Sequence, residues 1–219
     1  MTHYGAVDVI AIDGPSGTGK STVSRAVARE LGWRYLDTGA MYRALTWAVL
    51  REGRSARDAV QVAAANPISI CTDPATEDTR VNDVRVEAEI RSPEVTAAVS
   101  AVSAVPEVRS LLVDRQRSLI GDGQIVVEGR DIGTVVVPDA RLKIYLTADA
   151  DVRAVRRARE FGSDAPGVGD ALRRRDAFDS SREASPLRPA MHAVVIDTTA
   201  MTQDEVVEHI VSLARLVVS

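Results

Sequence analysis

The chain reads as an α/β protein with a mostly parallel five-stranded sheet, helices on both faces, a small antiparallel insert and a helical lid. Three observations predict this. Apolar runs of strand length alternate with segments of helical periodicity. The first run, 7–12, leads through a Gly-rich turn directly into an amphipathic helix. Only 67–91 breaks the alternation, with closely spaced short strands and turn residues that suit a local antiparallel insert. At 219 residues the chain is long enough for one large domain.

Each element has a local cause. Residues 7–12 are apolar except for Asp8, as in a strand buried on both faces. From residue 21, Val23, Val27 and Leu31 fall on one side of a helix. Residues 34–36 are a short extended candidate ending at Asp37-Thr38-Gly39, and a helix follows over 40–51 with Leu45, Ala48 and Val49 inward. Residues 58–65 form another short helix, stopped by Pro67. Strands are expected over 68–72 and 80–86, on either side of Asp73-Pro74-Ala75-Thr76. Ser92-Pro93-Glu94 supplies an N-cap, a first-turn proline and a first-turn acid. Pro106 opens a helix to 120, broken by Gly121-Asp122-Gly123. Strands are expected over 124–127 and 142–146, an Arg-rich helix over 149–161, a loop over 162–169 and a helix over 170–181. The last strand is 193–196, and Thr202-Gln203-Asp204-Glu205 is a capping box for a final helix.

Composition narrows the function. A hydrophobic fraction of 45% and a charged fraction of 26% are ordinary for a globular protein, and a net charge of −4 gives no pull toward nucleic acid or an acidic membrane. Lys occurs only at 20 and 143, against 25 Arg, so a Lys retained in the Gly-rich turn makes a chance match less credible. A single Cys excludes an intrachain disulfide and points to a cytoplasmic protein. Neither a signal peptide nor a membrane span is expected. Cys71, His3, His192 and His209 have no metal-ligand spacing.

Four constellations carry chemistry. Gly14-Pro15-Ser16-Gly17-Thr18-Gly19-Lys20-Ser21, followed by Thr22, has the spacing of a phosphate-binding loop between strand and helix. Backbone N–H groups and the helix N-terminus would surround phosphate oxygens, with Lys20 reaching the β- and γ-phosphates and Ser21 on magnesium. The alternative is a structural Gly turn. Asp37-Thr38-Gly39-Ala40-Met41-Tyr42-Arg43 stands at a strand end, where a hydroxyl and an Arg could grip a second phosphate. Its bland reading is a Thr cap beside a solvated Arg. Glu128-Gly129-Arg130-Asp131 follows another strand, with Glu128 where a magnesium-holding acid would stand. Its alternative is a Gly turn with a charge pair.

The last constellation is arginine-rich. Nine Arg face six acidic residues over 153–188. Arg153, Arg156 and Arg157 share one helix face, and Arg175, Asp179 and Arg182 another. Two such faces joined by a Gly/Pro loop describe a lid over a phosphoryl group, although Arg173 and Arg174 read better as solvated.

Together these motifs resemble the bacterial cytidylate kinases, of the nucleoside-monophosphate kinase class. The carriers are Ile12 to Ser21, Leu36 to Arg43 and Glu128 to Val136, with Arg175-Asp176, Asp179, Arg182 and Ser185-Pro186-Leu187. The resemblance implies a P-loop kinase core over about 1–37, 121–150 and 190–219. It also implies an acceptor-nucleotide region over about 38–120 containing the insert 67–91, and a lid over about 153–182. ATP with magnesium is implied as donor, and CMP or dCMP as acceptor. By the same resemblance Thr38 touches the acceptor nucleotide, Arg43 and Arg130 hold its phosphate, and Ser100, Arg109 and Asp131 read cytosine. Arg175, Asp179 and Arg182 lie near its ribose and phosphates. Lys20, Arg130, Arg153, Arg157 and Arg182 are the expected catalytic cations, and Ser21 and Glu128 the expected metal ligands.

The cytosine assignment has a chemical basis. A carboxylate at Asp131 can accept from N4 and Arg109 can donate to N3 and O2, whereas uracil presents like polarity to both. CMP and dCMP are therefore expected over UMP, with AMP and GMP excluded. A same-fold kinase with another acceptor is the first rival. A GTP-dependent switch is the second, but the chain lacks an Asn-Lys-x-Asp motif. A monomer without nucleic-acid or membrane partners is expected.

Overall fold

The computed structural model describes residues 8–160, 168–181 and 187–218. They fall into two compact units: one takes the described residues up to Tyr35 and from Asp122 onward, and the other is Leu36–Gly121.

The first unit is built on a five-stranded sheet. Its strands are β1 (Val9–Asp13), β2 (Arg34–Asp37), β6 (Ile125–Gly129), β7 (Leu142–Thr147) and β8 (Val194–Asp197), in the order β2-β6-β1-β7-β8. The last two residues of β2 open the other unit. β1 runs parallel to β6 and β7, and β7 parallel to β8. Every residue of β1 and β6 is buried, which explains the apolar runs Val9–Ile12 and Ile125–Val127 that precede the buried Asp13 and Glu128, while β7 alternates buried and half-buried positions. Helices α1 (Lys20–Leu31) and α8 (Gln203–Val218) join this sheet in one core. Val23, Val27, Val206 and Ile210 meet Ile10, Ile12, Ile144 and Leu146 there. The Thr202–Glu205 capping box forms: Glu205 Oε2 accepts from the Thr202 N–H at 2.7 Å and Thr202 Oγ1 from the Glu205 N–H at 3.3 Å. β1 is the central strand, with chain crossing to either side, so its carboxyl end lies at the sheet's topological switch point, where open parallel sheets bind ligands.

Helices α6 (Ala150–Glu160) and α7 (Val168–Ser181) pack together in the same unit. The expected loop over 162–169 is shorter at its end, because Val168 and Gly169 already belong to α7. Its remaining residues, together with Phe161 and the Ser185-Pro186 pair, lie outside the described residues.

In the second unit α2 (Thr38–Arg51) packs against α3 (Ala59–Ala65) and α4 (Pro93–Ser103), and α5 (Pro106–Ile120) follows. Ser92 caps α4 through the Val95 N–H at 3.3 Å. The insert is a three-stranded antiparallel sheet of β3 (Ile68–Ile70), β4 (Thr79–Val81) and β5 (Val84–Arg85). The single strand expected over 80–86 is thus two strands. Asn82 and Asp83, with φ of 50° and 65°, turn the chain back on itself in a two-residue hairpin. Among the described residues no single helix is long and apolar enough to cross a membrane.

Candidate active site

The Gly-rich turn leaves β1 at Asp13 and enters α1 at Lys20. Gly14 has φ +146°, and a Cβ there would lie 2.1 Å from the Leu146 carbonyl oxygen. At Gly17, with φ +79°, a Cβ would lie 2.7 Å from the Arg153 carbonyl oxygen. Only glycine lets the loop pass this close to β7 and α6. No side chain caps α1, so the positive end of its dipole faces the loop. Lys20 is buried and its Nζ donates to the Pro15 carbonyl at 2.7 Å; Thr18 Oγ1 donates to the same carbonyl at 3.1 Å. Ser16 is buried, while Ser21 and Thr22 are exposed on the first turn of α1.

Two expected arginines converge on this loop. Arg130, just after β6, donates from Nη1 to the Gly14 carbonyl at 2.9 Å and from Nε to Asp179 Oδ2 at 3.3 Å. Arg153, on α6, donates from Nη1 to the Ser16 carbonyl at 3.2 Å and from Nε to the Ala148 carbonyl at 3.1 Å, and pairs with Asp176. α7 therefore offers a carboxylate to each of them. Arg157 is half-buried on α6, and Arg173 and Arg174 are exposed on α7. Arg175 lies on α7 with its side chain outside the described residues, as is all of Arg182.

At the end of β6, Glu128 is buried and accepts a hydrogen bond from the Tyr35 hydroxyl. Arg25 stacks over the Tyr35 ring at 4.8 Å. A π-type turn follows over Ile132–Val136, a feature with no expectation in the sequence. Asp13 meets it: Oδ1 accepts from the Ile132 N–H and Oδ2 from the Gly133 N–H, both at 2.8 Å. Burial pushes the Asp13 carboxyl up to about 6. The two backbone bonds oppose that rise, the buried Asp131 carboxylate adds to it, and Lys20 lowers it. Tyr145, beside Asp13 on β7, is raised above the usual tyrosine range, mainly by burial.

The second unit holds the other candidates. Thr38 is buried at the first position of α2, but it is not the cap. Asp37 caps the helix, accepting from the Ala40 N–H at 2.8 Å, and its second oxygen pairs with Arg43 at 2.8 Å. Arg43 is thus held in place rather than solvated. Arg109 is buried on α5; it donates to the Ser103 carbonyl at 3.3 Å and lies over the Tyr42 ring at 5.7 Å. Ser100 is half-buried one turn earlier on α4, its carbonyl bonded by Ser103 Oγ at 3.1 Å.

A cleft of about 290 Å³ opens beside the loop, between Thr18, Gly19, Arg156, Thr198, Met201 and Gln203. Arg156 donates from Nη1 to Thr198 Oγ1 at 2.9 Å and from Nη2 to the Thr198 carbonyl at 2.7 Å. Arg156 was visible as a partner of Arg153 on one helix face; nothing local marks Thr198. Among the described residues no cluster of three or more His, Cys, Asp or Glu could hold a metal by itself. Ser21, exposed on the first turn of α1, and Glu128, a buried carboxylate at the end of β6, are oxygen donors of the kind magnesium takes, and that ion needs few protein groups.

Comparison with known proteins agrees with this geometry. The family model described as cytidylate kinase matches residues 10–216. A cytidylate kinase from Nocardia farcinica is 54% identical over 211 residues, covering 92% of this chain and 91% of that protein. One from Rhodococcus opacus is 55% identical over 208 residues, covering 91% of each. Among solved structures, a gluconokinase from Sinorhizobium meliloti shares the fold with a TM-score of 0.53 at 17% identity, over 97% of this chain and 94% of that one. A match over nearly the whole length, with relatives more than half identical, places the chain in the cytidylate kinase family.

Proposed function

We propose that this chain transfers the γ-phosphoryl group of ATP to CMP or dCMP, giving ADP and the diphosphate. The observation that carries the reading is the convergence of Arg130 and Arg153 on the carbonyls of Gly14 and Ser16. Two cations from separate elements flank a Gly-rich loop that already contains a buried Lys20. Phosphoryl transfer needs such an array, because its catalysis is mainly positioning and neutralisation of charge.

In this reading Gly14 to Thr22 hold the donor phosphates and Lys20 exchanges the Pro15 carbonyl for a phosphate oxygen. The cleft beside Arg156 and Thr198 takes the donor base. Arg130, Arg153, Arg157 and Arg182 neutralise the transferred charge. Ser21 and Glu128 would hold magnesium, which would add to the charge neutralisation. Thr38, Arg43, Arg175 and Asp179 bind the acceptor ribose and phosphate, and Ser100, Arg109 and Asp131 read its base. The acceptor phosphate is already anionic, so no strong general base is required. The region over 38–120 is the proposed acceptor part and 153–182 the proposed lid of a monomeric, cytoplasmic enzyme.

A coupled ADP-release assay across monophosphates tests the reading. CMP and dCMP are expected to turn over well, UMP poorly, and AMP and GMP not at all. Equal rates with AMP would overturn it.

A further inference from the structure

We propose that Asp13 is a positioning residue, holding the turn after β6 in the geometry that presents Arg130 and Asp131. The inference rests on the acceptor role proposed for those two residues. The turn Ile132–Val136 has no cap of its own, since the Asp131 side chain makes none. Its first two N–H groups are instead taken by the two carboxylate oxygens of Asp13, from another strand, at 2.8 Å each. The neighbouring Gly14 carbonyl accepts from Arg130 at 2.9 Å. Adjacent residues at the end of β1, Asp13 and Gly14, therefore hold the backbone just after Asp131 and the Arg130 side chain itself. Register makes this possible, because Asp13 lies opposite Gly129.

The far side of the turn has little slack. A Cβ at Gly133 would meet Ala190 Cβ at 3.1 Å and the Lys143 side chain at 3.3 Å. Asp13 is 3% exposed and both its oxygens face backbone N–H groups, so it acts through the turn and not on substrate. Only a carboxylate of this length supplies two acceptors here. An amide would set an N–H against an N–H and leave one buried donor without a partner.

Calorimetric titration of CMP and of ATP, with steady-state kinetics, on the full chain tests this in wild type, D13N, R130A and the double variant. D13N is expected to weaken CMP at least tenfold, leave ATP within about threefold and lower kcat. In the R130A background it is expected to cost much less, because the residue acts through Arg130. Asp13→Glu keeps the charge but lengthens the arm, and serves as the second variant if D13N does not fold; it is expected to weaken CMP in the same way. A lower Tm with CMP affinity unchanged in either variant, or CMP and ATP weakened alike, would overturn the inference, as would additive effects in the double variant. CMP loss in R130A with none in D13N sinks it alone. Unchanged CMP affinity in R130A sinks the acceptor role of Arg130 and this inference with it.

Discussion

Arg130 Nε donates to Asp179 Oδ2 at 3.3 Å, joining the end of β6 to α7 across 49 residues of sequence. The Asp179 side chain is 2% exposed and that of Arg130 20%. A nearly buried carboxylate thus orients a guanidinium whose Nη1 already donates to the Gly14 carbonyl of the loop. Replacing Asp179 by Ala is expected to raise KM for CMP about tenfold or more, at 1.5–3 kcal/mol for a charged hydrogen bond, with a smaller change for ATP. Steady-state kinetics with each substrate varied in turn checks this; an unchanged KM for CMP removes Asp179 from the acceptor site.

Lys20 is buried against the Pro15 carbonyl at 2.7 Å, a neutral partner that phosphate would replace. Lys20→Ala is expected to lower kcat by about 10²–10³, by analogy with loss of one preorganised donor. Turnover at the wild-type rate in that variant would exclude Lys20 from catalysis.

Asp13 sets a pH dependence of known sign. Its carboxyl titrates at about 6 in the folded chain against 3.8 as reference, chiefly because it is buried. Between those values the folded state holds a proton that the unfolded chain has released. The group's contribution to stability is therefore fully present below about 3.8 and lost as pH rises through about 6. The difference is on the order of 3 kcal/mol. Function runs the other way: protonation removes an acceptor from the Ile132–Gly133 turn, so kcat/KM for CMP is expected to fall below about pH 6. Asp13→Asn is expected to flatten both trends, which pH profiles of rate and of Tm would reveal.

Arg156 closes the cleft beside the loop with two bonds to Thr198. Arg156→Ala is expected to raise KM for ATP about tenfold while leaving KM for CMP within twofold, on the order of 1.4 kcal/mol. A rise confined to CMP would move the donor base elsewhere.

Much of this was legible before any fold. The Gly-rich loop, the Ser92 cap and the Thr202–Glu205 box depend on residues a few positions apart, and each stands where the residue types place it. The split of 80–86 was also local: Asn82-Asp83 is a pair that tolerates positive φ, and the surrounding β-formers masked it. The alternative in which Thr38 caps α2 misses by one residue, because Asp37 is an equally good cap. Which one turns its oxygen to Ala40 depends on Asp37 also holding Arg43.

The sequence by itself determined the class of the protein and the course of its Gly-rich loop, since glycine torsions, helix periodicity and charge type act over one or two turns of chain. The tertiary structure alone decided which distant groups meet. Strand β6 lies between β2 and β1, so Glu128 reaches Tyr35, Asp13 reaches the turn at 132–133, and Arg130 reaches Gly14. No local pattern encodes such pairs, because they follow from strand order and register, which form only when the whole core buries its apolar faces together.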